Sequence, residues 1–338
     1  MKEPAYRETF EILCLQAGNK GREALLFGDS MPRVRNAVPP FLVGKRFPEI
    51  YFEFPFTGSP FLDVTILYGE LDPGTRIASP AAGDCGPLLD WIEKARRDHT
   101  NISFGFELDT NQPELPLAAI YFQPGVNTEL AVPFCELLGE SGRGILYRDM
   151  ARQMPKGWPL SFFGSFRGRG DFPLRVCGYL GCDEKKACAA DPTHIAAAFD
   201  RIGFAAYDKQ MITQIAEVLR IAPRSVDFQF DLLSDGSLGD IFSLGICVLE
   251  NSASSMRRSF ECGPLAHLMN YLKVQGLADE RTDLIKSSVM KLLVPVECCD
   301  GSDAKYLFAY RPKWIKVRWK NGKLKQAKGY MLLTGCRV

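Results

Sequence analysis

The stretch from Val226 to Glu250, VDFQFDLLSDGSLGDIFSLGICVLE, decides the fold. Val226, Phe228 and Phe230 alternate with Asp227, Gln229 and Asp231. After the turn Ser234-Asp235-Gly236-Ser237, Phe242, Leu244, Ile246 and Val248 alternate with Ser243, Gly245 and Cys247. A period of two on both sides of a Gly-containing turn marks an antiparallel hairpin with one apolar face and one polar or small face.

Four other segments have the same form. The first hairpin is expected over about 50–69, with Phe52, Phe54 and Phe56 against Tyr51, Glu53 and Pro55, then Leu62, Val64 and Ile66 against Asp63, Thr65 and Leu67. The second, about 102–123, sets Phe104, Phe106, Ile120 and Phe122 against Ser103, Gly105, Glu107, Tyr121 and Gln123. The third, about 160–180, reads as Leu160, Phe162 and Phe166 on one face and Ser161, Ser165 and Arg167 on the other. Its turn is Gly168-Arg169-Gly170, and Arg175, Cys177 and Tyr179 share the polar face of its second strand. The fifth, about 305–334, turns at Asn321-Gly322, a strong tight-turn dipeptide.

Helical patterns fill the intervals, at about 127–139, 143–154, 192–202, 207–220 and 280–293, and residues 5–31 also read as mostly helical. Two further helices open on the same tetrapeptide, Cys-Gly-Pro-Leu, at 85–88 and 262–265. Pro fits the first turn of a helix, where its missing N–H costs nothing.

The resulting expectation is an α+β fold. Five αββα repeats give a ten-stranded antiparallel β-barrel surrounded by helices, in a single domain over 1–338. Residues 1–45 form a helical segment and 46–338 the five units. Closure removes exposed strand edges. The helices need an apolar partner, so the apolar hairpin faces should point outward beneath them. The polar faces then line the lumen. An unpaired polar group buried in a packed core costs roughly 1–3 kcal/mol, so a polar lumen implies a chamber.

Composition sets the bounds. The chain has 338 residues, 46% hydrophobic and 24% charged, with a formal net charge of +1. That balance offers no global field for nucleic acid or a membrane surface, although 305–338 holds ten Lys or Arg and no acid. The opening MKEPAYRETF has no apolar signal segment, and no run approaches a membrane span, so a cytoplasmic protein is expected. The eleven cysteines, including Cys177, Cys182, Cys188, Cys298 and Cys299, and the three histidines His99, His194 and His267 match no zinc spacing; reduced thiols are expected. No P-loop, GxGxxG or G-x-S-x-G pattern occurs.

This repeat order and face polarity resemble the ABBA prenyltransferases, whose PT barrel has five such units with the active site inside ten strands. The resemblance covers about 45–335. The size is similar to that of the bacterial and cyanobactin-type peptide prenyltransferases. It implies transfer of an isoprenoid group from dimethylallyl or geranyl diphosphate to an aromatic small molecule or a ribosomal peptide side chain. By that likeness Glu53 is placed as the general base. Arg167, Arg175, Lys316 and Arg318 are the diphosphate candidates, and Tyr121 and Tyr179 the shields of the allylic cation. Relatives spread basic ligands over several units, whereas Asp63, Glu107, Asp227 and Asp231 here make the chamber acidic, with the amide of Gln229 beside them. These could hold a cationic acceptor such as an arginine, lysine or amine group. There is no Asp-rich DDxxD-type motif, so Mg2+ would be optional and no cofactor required. Two other readings remain: a barrel that binds a hydrophobic ligand or peptide without catalysis, and a guanidine-modifying pentein with Cys336 as nucleophile.

Overall fold

The computed structural model describes residues 10–11, 28–44, 46–69, 71, 74–99, 101–112, 114–167, 173–248, 250, 253–287, 289–297 and 303–337. The helix expected over 5–31 lies largely outside them, as do the turn Gly168-Arg169-Gly170 and Cys298-Cys299.

Ten strands close into a ring. β1 (Glu49–Pro55), β2 (Asp63–Tyr68), β3 (Ser103–Leu108), β4 (Ala119–Gln123), β5 (Leu160–Ser165), β6 (Leu174–Leu180), β7 (Val226–Leu232) and β8 (Leu238–Cys247) pair in sequence order. β10 (Asp303–Lys320) follows β8, pairs with β11 (Lys323–Arg337), and β11 pairs back onto β1. All these pairings are antiparallel. Asn321 and Gly322 sit at φ 51° and 72°, the left-handed pair that a two-residue hairpin turn requires.

The apolar faces point outward, as the helical jacket demands. Between the hairpins lie α2 (Gly86–Asp98), then α3 (Ala131–Leu137) and α4 (Ser141–Gln153), then α5 (Cys182–Ala190), α6 (Thr193–Ile202) and α7 (Lys209–Ile221), then α8 (Ala253–Cys262), α9 (Pro264–Val274) and α10 (Arg281–Ser287). A short α1 (Met31–Ala37) precedes the barrel. Both Cys-Gly-Pro-Leu segments open helices, α2 and α9. Phe199 of α6 packs edge-on against Phe230 and Phe242, with ring centres 5.8 and 5.0 Å apart. On α7, Met211, Ile215, Val218 and Leu219 are buried as their spacing predicts. Burying each such side chain contributes roughly 1.5–3 kcal/mol.

Three elements depart from the sequence reading. α5 and α8 are additional helices. The helix expected over 280–293 stops at Ser287, and Met290–Glu297 form an eleventh strand, β9. The residues from Met290 onward pair antiparallel with Asp303–Tyr310 instead of continuing the helix, and Pro295 is tolerated there because an edge strand does not need its N–H. β9 pairs with only the first half of β10, so it stands outside the ring and ends the sheet.

Candidate active site

The ring alternates hairpin turns and helical connections, so the five turns share one end of the barrel. A residue's position along its strand therefore gives its depth. A chamber of about 440 Å3 opens toward the end that carries the helical connections. Glu49, Ser103, Gln123, Tyr179, Lys313 and Trp314 line its mouth; Glu53, Glu107, Tyr121, Gln229, Lys316 and Tyr330 line its depth.

Glu53 is the centre of the floor. Its register neighbours are Asp63 on β2 and Tyr330 on β11. Lys328 Nζ donates to Glu53 Oε1 at 2.5 Å, and both side chains are buried. Burial alone would raise the Glu53 carboxyl. The charges of Lys328 and Lys316, with the hydrogen bond from Lys328, outweigh it and hold the group well below the usual carboxylate range. Asp63 goes the other way: burial, then the charge of Glu53, push it up to about 8. Two neighbouring carboxyls thus sit in opposite protonation states at neutral pH. Lys316 is also buried, its ammonium 5.0 Å from the centre of the Tyr330 ring, with no carboxylate paired to it among the described residues. Burial lowers its pKa against the pull of Glu53.

Toward the turns the lumen is filled. Arg175 Nε donates to Asp231 Oδ1 at 3.1 Å, and the guanidinium lies 4.5 Å from the centre of the Phe166 ring. Arg318 pairs in register with Ser243, one lumen position below Lys316, and its Nε has no partner. The wall carries aromatic faces. Tyr121 donates its hydroxyl to Glu107 Oε2 at 2.7 Å and packs beside Phe162 and Phe166. Tyr51, Tyr330 and Leu332, with Leu67 and Trp314, make a small apolar cluster inside the barrel, separate from the outer core. Tyr179 is exposed at the mouth.

On β7, Asp227 and Gln229 point into the chamber and Asp231 lies below it with Arg175. The Oδ1 of Asp227 and the Oε1 of Gln229 accept no hydrogen bond, although both side chains are buried. Burial pushes Asp227 up to about 6, against the pull of Lys316 and the Gly245 N–H.

Hairpin three corrects the sequence reading. A register shift between Leu160 and Phe162 turns the rest of β5 over. Phe162 lines the chamber, and Phe166 packs on Tyr121 and Arg175 inside the lumen. Ser165 faces outward and donates to Glu140. Arg167 is outside the lumen too; its guanidinium donates to the Ala82 carbonyl at 3.3 Å, so the chamber lacks this expected diphosphate ligand. Ser161, expected in the lumen, sits at the shift with its hydroxyl 3.5 Å from the Cys177 carbonyl.

Lys328, Tyr330, Tyr51, Trp314 and Phe162 escaped the sequence reading as site residues. For Lys328 the signal was masked by a second shift, between Arg318 and Trp319. Counting back from the Asn321-Gly322 turn, where Trp319 faces Leu324, sets Lys316 opposite Ala327; the shift sets it opposite Lys328.

No protein-family model matches the sequence, and no curated protein matches it. Solved structures do match. 5-Dimethylallyltryptophan synthase from Streptomyces coelicolor aligns over 91% of this chain and 92% of its own, at 13% identity and a TM-score of 0.50. The apo prenyltransferase PriB aligns over 95% and 92%, at 14% identity and a TM-score of 0.50. The fold is the PT barrel of the ABBA prenyltransferases. The PT barrel places its ring of ten strands around a lumen, and here that lumen is the chamber just described. The pentein reading loses its footing: Cys336 is exposed on the far end of β11, outside the chamber lining, and the repeats are hairpins. Among the described residues no three His, Cys, Asp or Glu side chains converge as a metal site, and no helix is long and apolar enough to cross a membrane.

Proposed function

We propose that this barrel transfers an isoprenoid group from an allylic diphosphate, dimethylallyl or geranyl, to an aromatic small molecule or a peptide side chain. One observation carries the reading: a buried, unpaired Lys316 faces an ionised Glu53 across a floor walled by aromatic rings. Lys316, with Lys313 at the mouth, supplies positive charge for the diphosphate, and Arg318 adds to the field from below the chamber; Arg175 stays with Asp231.

The allylic C–O bond breaks and the diphosphate leaves with the electron pair, stabilised by these cations. The faces of Tyr51, Tyr121, Tyr330 and Trp314 attract the allylic cation and keep water from it. An electron pair of the acceptor forms the new bond to carbon. Glu53 then takes the acceptor's proton. Its low basicity suffices for an aromatic acceptor, because the arenium ion formed on alkylation is a far stronger acid than any protein group. The resident charges supply what Mg2+ otherwise would, so we propose that no metal is required. The eight described cysteines are free thiols, in keeping with a cytoplasmic setting.

The test is direct. Incubation with dimethylallyl or geranyl diphosphate and a panel of aromatic compounds and Trp-, Tyr- or Arg-containing peptides should add one or more isoprene units by mass. No transfer over that panel, with no diphosphate-dependent rise in Tm, would sink the proposal. A Tm rise without transfer would favour a binding barrel.

A further inference from the structure

Two oxygens in the chamber stand without donors. Asp227 Oδ1 and Gln229 Oε1 belong to side chains 7% and 8% exposed, both of which line the cavity. A buried acceptor left unpaired costs about 1–3 kcal/mol, so such atoms indicate a ligand that brings the donors. Both oxygens need N–H or O–H groups; the Asp227 carboxylate offers no hydrogen in return, and the Gln229 amide offers its own only from Nε2. Two residues apart on one strand face, their backbones are separated by about 6.5 Å.

The neighbours narrow the ligand further. Gly245 lies between Asp227 and Lys316 in register. A Cβ on Gly245 would come within 2.1 Å of Asp227 Oδ1, so the carboxylate leans across bare backbone toward Lys316. The two charges nevertheless form no ion pair among the described residues. We infer that Asp227 and Gln229 anchor a guanidinium group of the acceptor, taken up once the diphosphate has settled on Lys316; this rests on the prenyl-transfer reading above.

A guanidinium presents N–H groups on separate edges and accepts nothing, which matches two spaced oxygens. A compact ammonium reaches two spaced oxygens less well, and an indole brings a single donor. The planar cation also finds flat partners in Tyr51, Tyr179 and Trp314, which line the same cavity. The order follows from charge. Lys316 repels a guanidinium until an anion neutralises it, after which Asp227 is free to hold the cation. The two substrates therefore strengthen each other's binding.

Calorimetric titration tests this, using Nα-acetyl-arginine amide and its lysine and citrulline counterparts. Each is titrated into the full chain with and without dimethylallyl thiolodiphosphate, whose C–S bond does not ionise. The arginine compound should bind about tenfold more tightly with the thiolodiphosphate than without it, and about tenfold more tightly than the other two. Asp227→Asn and Gln229→Leu should each remove most of that advantage at an undiminished Tm, and the second variant decides if the first does not fold. Equal binding of the arginine and citrulline compounds, or arginine binding unchanged in the variants, overturns the inference. A thiolodiphosphate that raises Tm while the arginine compound does not bind overturns it and leaves the prenyl-transfer reading standing. A thiolodiphosphate that does not bind overturns both.

Discussion

Strands β6 and β7 carry, on one lumen face, a polar pair that is complete and two that are not. Near the turns Arg175 faces Asp231, and the ion pair is sealed beneath Phe166. Farther up, Cys177 faces Gln229 and Tyr179 faces Asp227, and there the acceptor oxygens have no donor. The β6–β7 pairing runs in one unbroken register through both levels. The lower pair is structure: each member solves the other's burial. The upper positions are strained in polarity, and a ligand would relieve them. Burial of charge by itself therefore does not mark the site; unpartnered acceptors that also line the chamber do.

The largest effect should separate these two levels. Asp231→Ala leaves Arg175 buried and uncompensated, and should cost about 3–5 kcal/mol in a denaturant titration. Asp227→Ala should cost nothing measurable, or stabilise, since it removes an unpaired buried acceptor. If the two variants were equally damaged, the lower and upper levels would be one structural network and the distinction would fail.

Lys316 extends the comparison across the ring. It is buried without a carboxylate partner, so it behaves like the upper level. Lys316→Met should lower prenyl transfer by roughly 100- to 1000-fold, the scale of losing one electrostatic stabiliser, while Tm holds or rises. Burial lowers the pKa of Lys316, so diphosphate affinity should fade at a lower pH than an ordinary lysine would give. A loss of Tm with activity retained would make Lys316 a structural cation.

Much of this arrangement is legible in the sequence, and the failures share a cause. Hairpin four was readable because its register shift, between Phe230 and Leu232, lies beside the turn and leaves the strand faces intact. Hairpin three was not, because one extra residue near Leu160 exchanges inside and outside for Phe162, Ser165, Phe166 and Arg167. A strict period of two cannot register such a bulge. The same limit hid Lys328, although the lumen position of Glu53 was legible. β9 was lost to an apolar spacing that reads as helical over 280–293, whereas Met290–Glu297 pair with β10, a partner the local pattern does not reveal. Protonation states were beyond reach: that Asp63 is neutral beside an ionised Glu53 depends on contacts between strands far apart in sequence.

That neutral Asp63 has a consequence for stability. Its folded pKa of about 8 lies above the unfolded value near 3.8, so the folded state binds the extra proton. Stability should fall as pH rises from about 4 to about 8. Asp227, at about 6, adds a shorter slope of the same sign. Glu53 acts oppositely: its stabilisation is present above its unfolded pKa and is lost only in strong acid. Asp63→Asn should flatten the neutral slope and stabilise the fold at pH 8 by roughly 1–3 kcal/mol. An unchanged pH profile would place the titrating proton elsewhere on the floor.

The smallest expected effect concerns metal. Transfer measured in EDTA should stay within about twofold of that in Mg2+, if Lys316, Arg318 and Lys313 carry the charge a diphosphate needs. The carboxyls nearest them are poorly suited to help a metal: Glu53 is held by Lys328, and Asp63 carries a proton. Asp227 is the exception, with one oxygen free and a pKa low enough to ionise at neutral pH. Strong Mg2+ stimulation that disappears in Asp227→Asn would therefore make the upper oxygens ligands of a diphosphate-bound metal. The distinction between the two levels would survive that result, but the partner missing from the upper one would be an ion, and the guanidinium would have to bind elsewhere.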